Sequence, residues 1–259
     1  CIPVATFALK RRHVPGFTGS YIKLSDFTGH QNQAPRTLEA IRNPDCEWLY
    51  RSRPDEFKMV PGSPVAYWVS DRVRKLFTVE RSLDEVAYPR KGLTTANNER
   101  FVRRWAEVSC EKSKFDGADA VADFKWFPLN KGGTYRKWFG NRSLLIDWEH
   151  DGRELRNFDS AVIRNPDFYF REGITWNDIS PVTFGMRYSP AGSIFEAVGP
   201  MCFADDSIFL FALLGLFNSA VAQDFLTFLC PTMHFNIGEV ARVPVVDQLH
   251  DFPKIVASS

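Results

Sequence analysis

The run IFLFALLGLFNSAVAQDFLTFLCP, residues 208–231, decides the class of fold. Ile208 to Phe217 is the longest apolar stretch, and Asn218, Ser219, Gln223 and Asp224 follow it. A membrane-spanning helix needs about 20 apolar residues in succession, so this run reads as a buried helix. A second helical segment follows a joint at Asn218-Ser219, and Pro231 stops it. Upstream the pattern differs. Beyond Cys110 the apolar residues fall in short runs, including Ser143–Trp148 and Asp167–Phe170, divided by Gly, Pro and Asn. Such runs read as strands. Helices set against a strand-rich middle make an α+β pattern, with a mixed or antiparallel sheet and flanking helices.

Nearer the N-terminus, Val4–Leu9 and Ser20–Leu24 read as two strands of a hairpin around Pro15-Gly16. Gly29–Pro35 is a polar loop, and Thr37–Arg42 suits a short helix. Pro54, Pro61 and Pro64 punctuate the next stretch, leaving Ala66–Val69 as a strand or the start of a helix. Asp71–Phe77 has helical spacing. Thr94, Thr95 and Asn97 supply capping side chains for a helix with Phe101, Val102, Trp105 and Val108 on one face. At the other end, Val240–Val246 contains Pro244 and suits an edge strand.

Composition supports a packed core. The chain has 259 residues, 44% hydrophobic and 24% charged, and neither an internal repeat nor a low-complexity tract. The 23 Phe, 7 Trp and 7 Tyr exceed what a core alone calls for, so some rings are expected on the surface as anchors or stacking platforms. With a net charge of +1, anion binding must come from local clustering. The five cysteines are scattered, form no CxxC, and point away from a disulfide framework or zinc site and towards a reducing cytoplasm. No signal peptide opens the chain. It begins at Cys1, directly in apolar sequence, and reads as a fragment.

Catalytic signatures are missing. Gly132-Gly133 is the only glycine pair, and on the sequence it follows a polar loop instead of the apolar strand of a cofactor-binding turn. Asn165-Pro166-Asp167-Phe168 lacks the second proline of an Asn-Pro-Pro-aromatic loop, which amino-group DNA methyltransferases use to hold a flipped base. It reads as an ordinary turn leading into a strand. Pro54-Asp55-Glu56-Phe57-Lys58 is too contiguous for the metal-binding carboxylates of a nuclease to converge.

Binding chemistry is present. In FKWFPLNKGGTYRKWFGNR, residues 124–142, the cations Lys125, Lys131, Arg136, Lys137 and Arg142 occur without an intervening acid. Lys and Arg neutralise phosphates, and Gly132 and Gly133 allow backbone N–H groups close to an anion. Tyr135 and Trp138 are among six interleaved rings that stack on or wedge beside bases, or else simply fill the core. Arg100, Arg103 and Arg104, with Asn97 and Asn98, form a second cluster. Arg reads guanine and Asn reads adenine in the major groove. An exposed amphipathic helix with ordinary charge pairing accounts for the same residues.

These segments carry a resemblance. Tyr21–Ile41 (YIKLSDFTGHQNQAPRTLEAI), Val60–Asp71 (VPGSPVAYWVSD), Lys91–Val108 (KGLTTANNERFVRRWAEV), Lys125–Asn141, Phe168–Trp176 (FYFREGITW) and FNSAVAQDFL…PTMHFNIGEVARVPV resemble the PglX-type adenine methyltransferases of BREX phage-defence systems. More loosely, Thr95, Asn98 and Phe101 are similar to the start of target-recognition domains in type IIG and TaqI-like enzymes. The resemblance implies that residues 1–45 end a methyltransferase domain, as its terminal hairpin and linker, and that residues 46–259 form a recognition domain for double-stranded DNA. S-adenosylmethionine would serve the parent enzyme, with no cofactor, metal or catalytic residue in this segment. Expected partners are DNA, a methyltransferase domain in cis and other defence-system subunits, with no membrane. A protein-docking module for those subunits is the alternative. A free-standing enzyme lacks a legible nucleophile–base pair.

Overall fold

The computed structural model describes residues 5–12, 14–115 and 124–251. The chain divides into two compact units, residues 1–78 and 79–259, with helices and several small sheets in an α+β fold.

In the first unit β1 (Gly19–Ile22) pairs antiparallel with β2 (Leu49–Ser52), Gly19 opposite Ser52. The expected hairpin with residues 4–9 is not formed. Residues 5–9 have no regular structure, and Val4 lies outside the described residues. Aromatic packing favours the other partner. Tyr21 of β1 stacks on Tyr67 at 4.8 Å and meets Phe57 edge-on, while Tyr50 of β2 lies 5.5 Å from the same Tyr67 ring. Helix α1 (Gln33–Arg42) starts inside the stretch read as a loop, because Pro35 is tolerated in a first helical turn. Ala66–Val69 is neither strand nor helix but a turn, with Val69 N–H donating to Ala66 C=O. Helix α2 (Asp71–Val79) forms where its spacing predicts. Its Arg74 is buried and pairs with Glu56 and Asp71, both at 3.0 Å. The Ser52 hydroxyl, with Arg53 and Arg74, holds Glu56 below the usual carboxylate range. The expected division after residue 45 falls inside this unit, between α1 and β2.

The second unit holds two four-stranded sheets. One is mixed, in the order β10 (Ile194–Phe195), β6 (Trp126–Asn130), β7 (Leu144–Asp147), β5 (Val102–Arg104), with β10 parallel to β6. The other is antiparallel, in the order β4 (Tyr88–Arg90), β11 (Met201–Phe203), β8 (Gly173–Trp176), β9 (Met186–Ser189). Phe127, Ile146 and Phe195 of the first sheet share a core with Met201 and Phe203 of the second, and Trp148 closes it. Beyond β7, helix α5 (Glu149–Arg156) contains a left-handed stretch, His150 to Gly152. A Cβ on Gly152 would lie 2.6 Å from the Trp148 ring, so only glycine fits.

Two sequence expectations fail in this unit. The amphipathic helix after Thr94 is a single turn, α4 (Asn98–Phe101), after which β5 begins. Val102 is recruited opposite Ile146 of β7, so Phe101 is buried while Trp105 is exposed. Tertiary pairing overrides the helical period. Asp167–Phe170 is not a strand: Asn165 adopts a left-handed conformation and Pro166–Phe168 is a 3₁₀ turn. At the C-terminal end Val240 closes a helical turn, α8 (Ile237–Val240). Only β12 (Pro244–Val245) pairs, with β3 (Arg81–Ser82), which runs into the short helix α3 (Leu83–Val86), in a two-stranded sheet where Pro244 loses no inner ladder bond.

The helical pair forms where expected. Helices α6 (Ser207–Asn218) and α7 (Ala220–Leu229) meet at an angle of 68°. Asp206 and Ser219 cap them, accepting from the N–H groups of Phe209 and Ala222. Asn218 fixes the joint by bonding the N–H and C=O of Met186 in β9, at 3.0 and 2.9 Å. Among the described residues no single helix is long and apolar enough to cross a membrane.

Cys202 and Cys230 are buried thiols, and desolvation pushes both up to about 12. A raised folded-state pKa means stability that is present below the unfolded-state value and lost as pH rises above it. Each thiol contributes a loss approaching about 1.4 kcal/mol per pH unit once its unfolded form is fully ionised, so the two together predict roughly 2 kcal/mol lost between pH 9 and 10. Arg187, held down at about 10 by burial, contributes with the opposite sign above that window. Urea denaturation at pH 8, 9 and 10 measures this, and a flat profile contradicts it.

A candidate nucleic-acid interface

Residues 131–142 connect β6 to β7 along an ordered path. Gly132, Gly133, Trp138, Gly140 and Asn141 all have positive φ. The loop is held from several sides. Asn177 donates to Gly133 C=O at 2.7 Å, and Asn141 donates to Thr134 C=O at 2.8 Å. Trp138 exchanges backbone bonds with β9, its N–H donating to Met186 C=O and its C=O accepting from Tyr188 N–H. Gly185 lets the loop close in, since a Cβ there would lie 2.7 Å from Arg136 C=O. The result is a fixed knuckle with Tyr135, Trp138 and Phe139 exposed at 38%, 54% and 57%. Rings held outward by bonded backbone are unusual for a core-forming residue type and make this loop a candidate contact surface.

The charges of this stretch are mostly engaged. Lys125 pairs with Asp147 and Glu149, both at 2.9 Å. Desolvation opposes its charge, but the Glu149 and Asp147 bonds outweigh this and keep its pKa above the usual lysine value. Lys131 binds the buried Glu196 and donates to Asn98 Oδ1 at 2.8 Å. Lys137 donates to Asn218 C=O at the end of α6, 2.8 Å away. Arg142 is half-buried with its pKa lowered by desolvation; Nη2 is 3.4 Å from Phe115 C=O, and Nη1 is buried without a partner among the described residues. Arg136 is exposed, with no ion-pair partner among the described residues.

The second cluster is joined to the first. Asn98 Oδ1 accepts from both Thr95 Oγ1, at 2.7 Å, and Lys131. Asn97 caps α4 by accepting from Arg100 N–H at 3.0 Å. Arg100 pairs with Glu154 at 3.2 Å and lies 5.3 Å from the Phe158 ring centre. Arg103 is turned onto the carbonyls of Glu99 and Val102. Arg104 is exposed, its backbone N–H bound by Glu107. Arg100, Arg103 and Arg104 therefore do not share a helix face.

A third group escaped the sequence reading. Arg90 and Arg171 flank the Phe168 ring at 4.8 and 5.0 Å, and Arg164 and Asn165 bond to Thr94 Oγ1 and Lys91 C=O. With Lys91 they form a basic surface around the Asn165-Pro166 turn. These residues come from two chain segments, 90–91 and 164–171, and only the charge of each was readable.

Among the described residues the Gly132-Gly133 turn does not have the setting that would receive S-adenosylmethionine. Gly132-Gly133 does follow an apolar strand, β6, contrary to the sequence reading, because Trp126 to Asn130 are all buried. It leads to β7, however, and not to a helix whose N-terminus would receive the cofactor. Among the described residues no three His, Cys, Asp or Glu side chains converge to hold a metal ion.

No family model matches the chain. It is similar to the adenine-specific methyltransferase PglX of Lacticaseibacillus casei (strain Zhang), 37% identical over 257 residues, 95% of this chain and 21% of that protein. It is also similar to the adenine-specific methyltransferase BrxX of Escherichia coli O9:H4 (strain HS), 34% identical over 252 residues, 96% of this chain and 20% of that protein. The chain spans about a fifth of the length of these curated relatives.

Proposed function

For a chain homologous to the adenine-specific methyltransferases PglX and BrxX, as the sequence resemblance anticipated, we propose recognition of double-stranded DNA on behalf of a methyltransferase domain in the same polypeptide. The observation that carries this reading is the fixed knuckle presenting Tyr135, Arg136, Trp138 and Phe139. Adenine methylation requires the base to leave the stack, and exposed rings beside a cation suit a wedge or a cover for the opened step. Arg104 and the surface formed by Arg90, Lys91, Arg164 and Arg171 would hold phosphates, which sets register without reading sequence. Methyl transfer from S-adenosylmethionine would take place elsewhere in the parent protein, as part of phage defence in the cytoplasm. Within this proposal residues 1–45 belong to the end of the methyltransferase domain, and residues 46–259 to recognition.

The test is the affinity of the chain for a labelled duplex, measured by anisotropy between 50 and 200 mM salt. Each phosphate held contributes a slope of about −0.9 in log affinity against log salt, so a slope steeper than about −2 is expected. Binding that ignores salt sinks the reading.

Docking to other defence-system subunits is the second reading. The neutralisation of Lys125 and Lys131 by acids, and the engagement of Lys137 with Asn218 C=O, favour it, since exposed aromatic rings with little free charge suit a protein partner. Arg136→Ala separates the two, weakening DNA binding in the first and sparing subunit capture.

A further inference from the structure

Arg187, in β9, is 2% exposed, and its one side-chain hydrogen bond among the described residues runs from Nη2 to Asn177 Oδ1 at 2.9 Å. Its Nε is buried without a partner, and no carboxylate contacts the guanidinium among the described residues. An uncompensated buried charge of this kind is costly and calls for a reason. Burial alone lowers its pKa, and only to about 10, so it stays protonated at neutral pH.

The charge leads to the surface through bonds. Asn177 accepts from Arg187 with Oδ1 and donates from Nδ2 to Gly133 C=O. The peptide is planar and trans, so a Gly133 carbonyl turned inward to Asn177 turns the Thr134 N–H outward. Thr134 C=O is bound by Asn141, which likewise turns Tyr135 N–H away from that contact. Neither N–H donates to an acceptor among the described residues, and both residues are exposed. Bonds aligned head to tail polarise one another, so the outer N–H is a stronger donor than an isolated amide.

We propose that the Thr134 N–H, at the outer end of a relay from Arg187 through Asn177 and the Gly133 peptide, seats a phosphate of the nucleic-acid backbone, with the exposed Arg136 two residues on in the same loop. The seat rests on the nucleic-acid reading of this loop for the identity of its ligand, but not for its existence.

Two measurements on the full chain test it. The first is thermal denaturation with inorganic phosphate at constant ionic strength. An anion bound only by the folded state raises the midpoint. A rise is expected for the wild type and none for Arg187→Met, whose apolar side chain of similar length is compatible with folding. The second is duplex affinity, expected to fall about tenfold in Arg187→Met, with the salt slope shallower by about one. If Arg187→Met does not fold, Arg187→Gln is read in its place. No phosphate effect on the wild type overturns the seat, as does an equal effect on the variant. A phosphate effect lost in the variant without change in duplex affinity keeps the anion seat and overturns the DNA assignment of the loop.

Discussion

Replacing Tyr135, Arg136, Trp138 and Phe139 together by alanine is expected to lower duplex affinity on the order of 100-fold, with little change in stability. Base–aromatic contacts are worth about 1–3 kcal/mol each, and a single cation at a phosphate adds to them without full additivity. All four side chains are exposed, so little core is lost. The loop path survives because it is fixed by backbone bonds of Trp138 and by the amides of Asn141 and Asn177. The paired measurements are anisotropy and the thermal midpoint. Unchanged affinity in a folded variant would transfer the knuckle to the docking reading.

Lys131→Met tests the opposite kind of residue. Lys131 stands in the basic stretch, yet its ammonium group is bound by the buried Glu196 and by Asn98. Removing it leaves a carboxylate buried without its cation, at a cost of about 3–5 kcal/mol and roughly 10 °C in the unfolding midpoint. Lys131→Met combined with Glu196→Leu should recover most of that loss, since replacing a whole buried pair by apolar groups is often near neutral. Urea denaturation of Lys131→Met, Glu196→Leu and the double variant closes the cycle. A Lys131→Met protein of native stability with weakened DNA binding would show instead that Lys131 serves phosphate.

The two residues illustrate what a sequence makes visible. Lys125, Lys131, Arg136, Lys137 and Arg142 look equivalent as a run of cations without acids. The counter-charges of Lys125 and Lys131 come from far along the chain: Glu149 is 24 residues from Lys125, and Glu196 is 65 residues from Lys131. Arg136 alone of the five keeps an exposed side chain without such a partner among the described residues. The cations around Phe168 could not be grouped, because Arg90, Arg164 and Arg171 become neighbours only when β4 and the Asn165 turn meet.

By itself the sequence determined the features whose causes are local. The α6–α7 pair follows from a continuous apolar run, a capping Ser219 and a terminating Pro231; the capped turn at Asn97 follows from a side chain that reaches the N–H three residues on. It also determined that rings and glycines would alternate with charge between Phe124 and Arg142. Tertiary structure alone decided the partner of β1, the strand that cuts short the helix after Asn98, and which charges remain for a ligand. The physical reason is common to all three. Strand pairing and ion pairing join residues distant along the chain, and their strength depends on burial that no local pattern records.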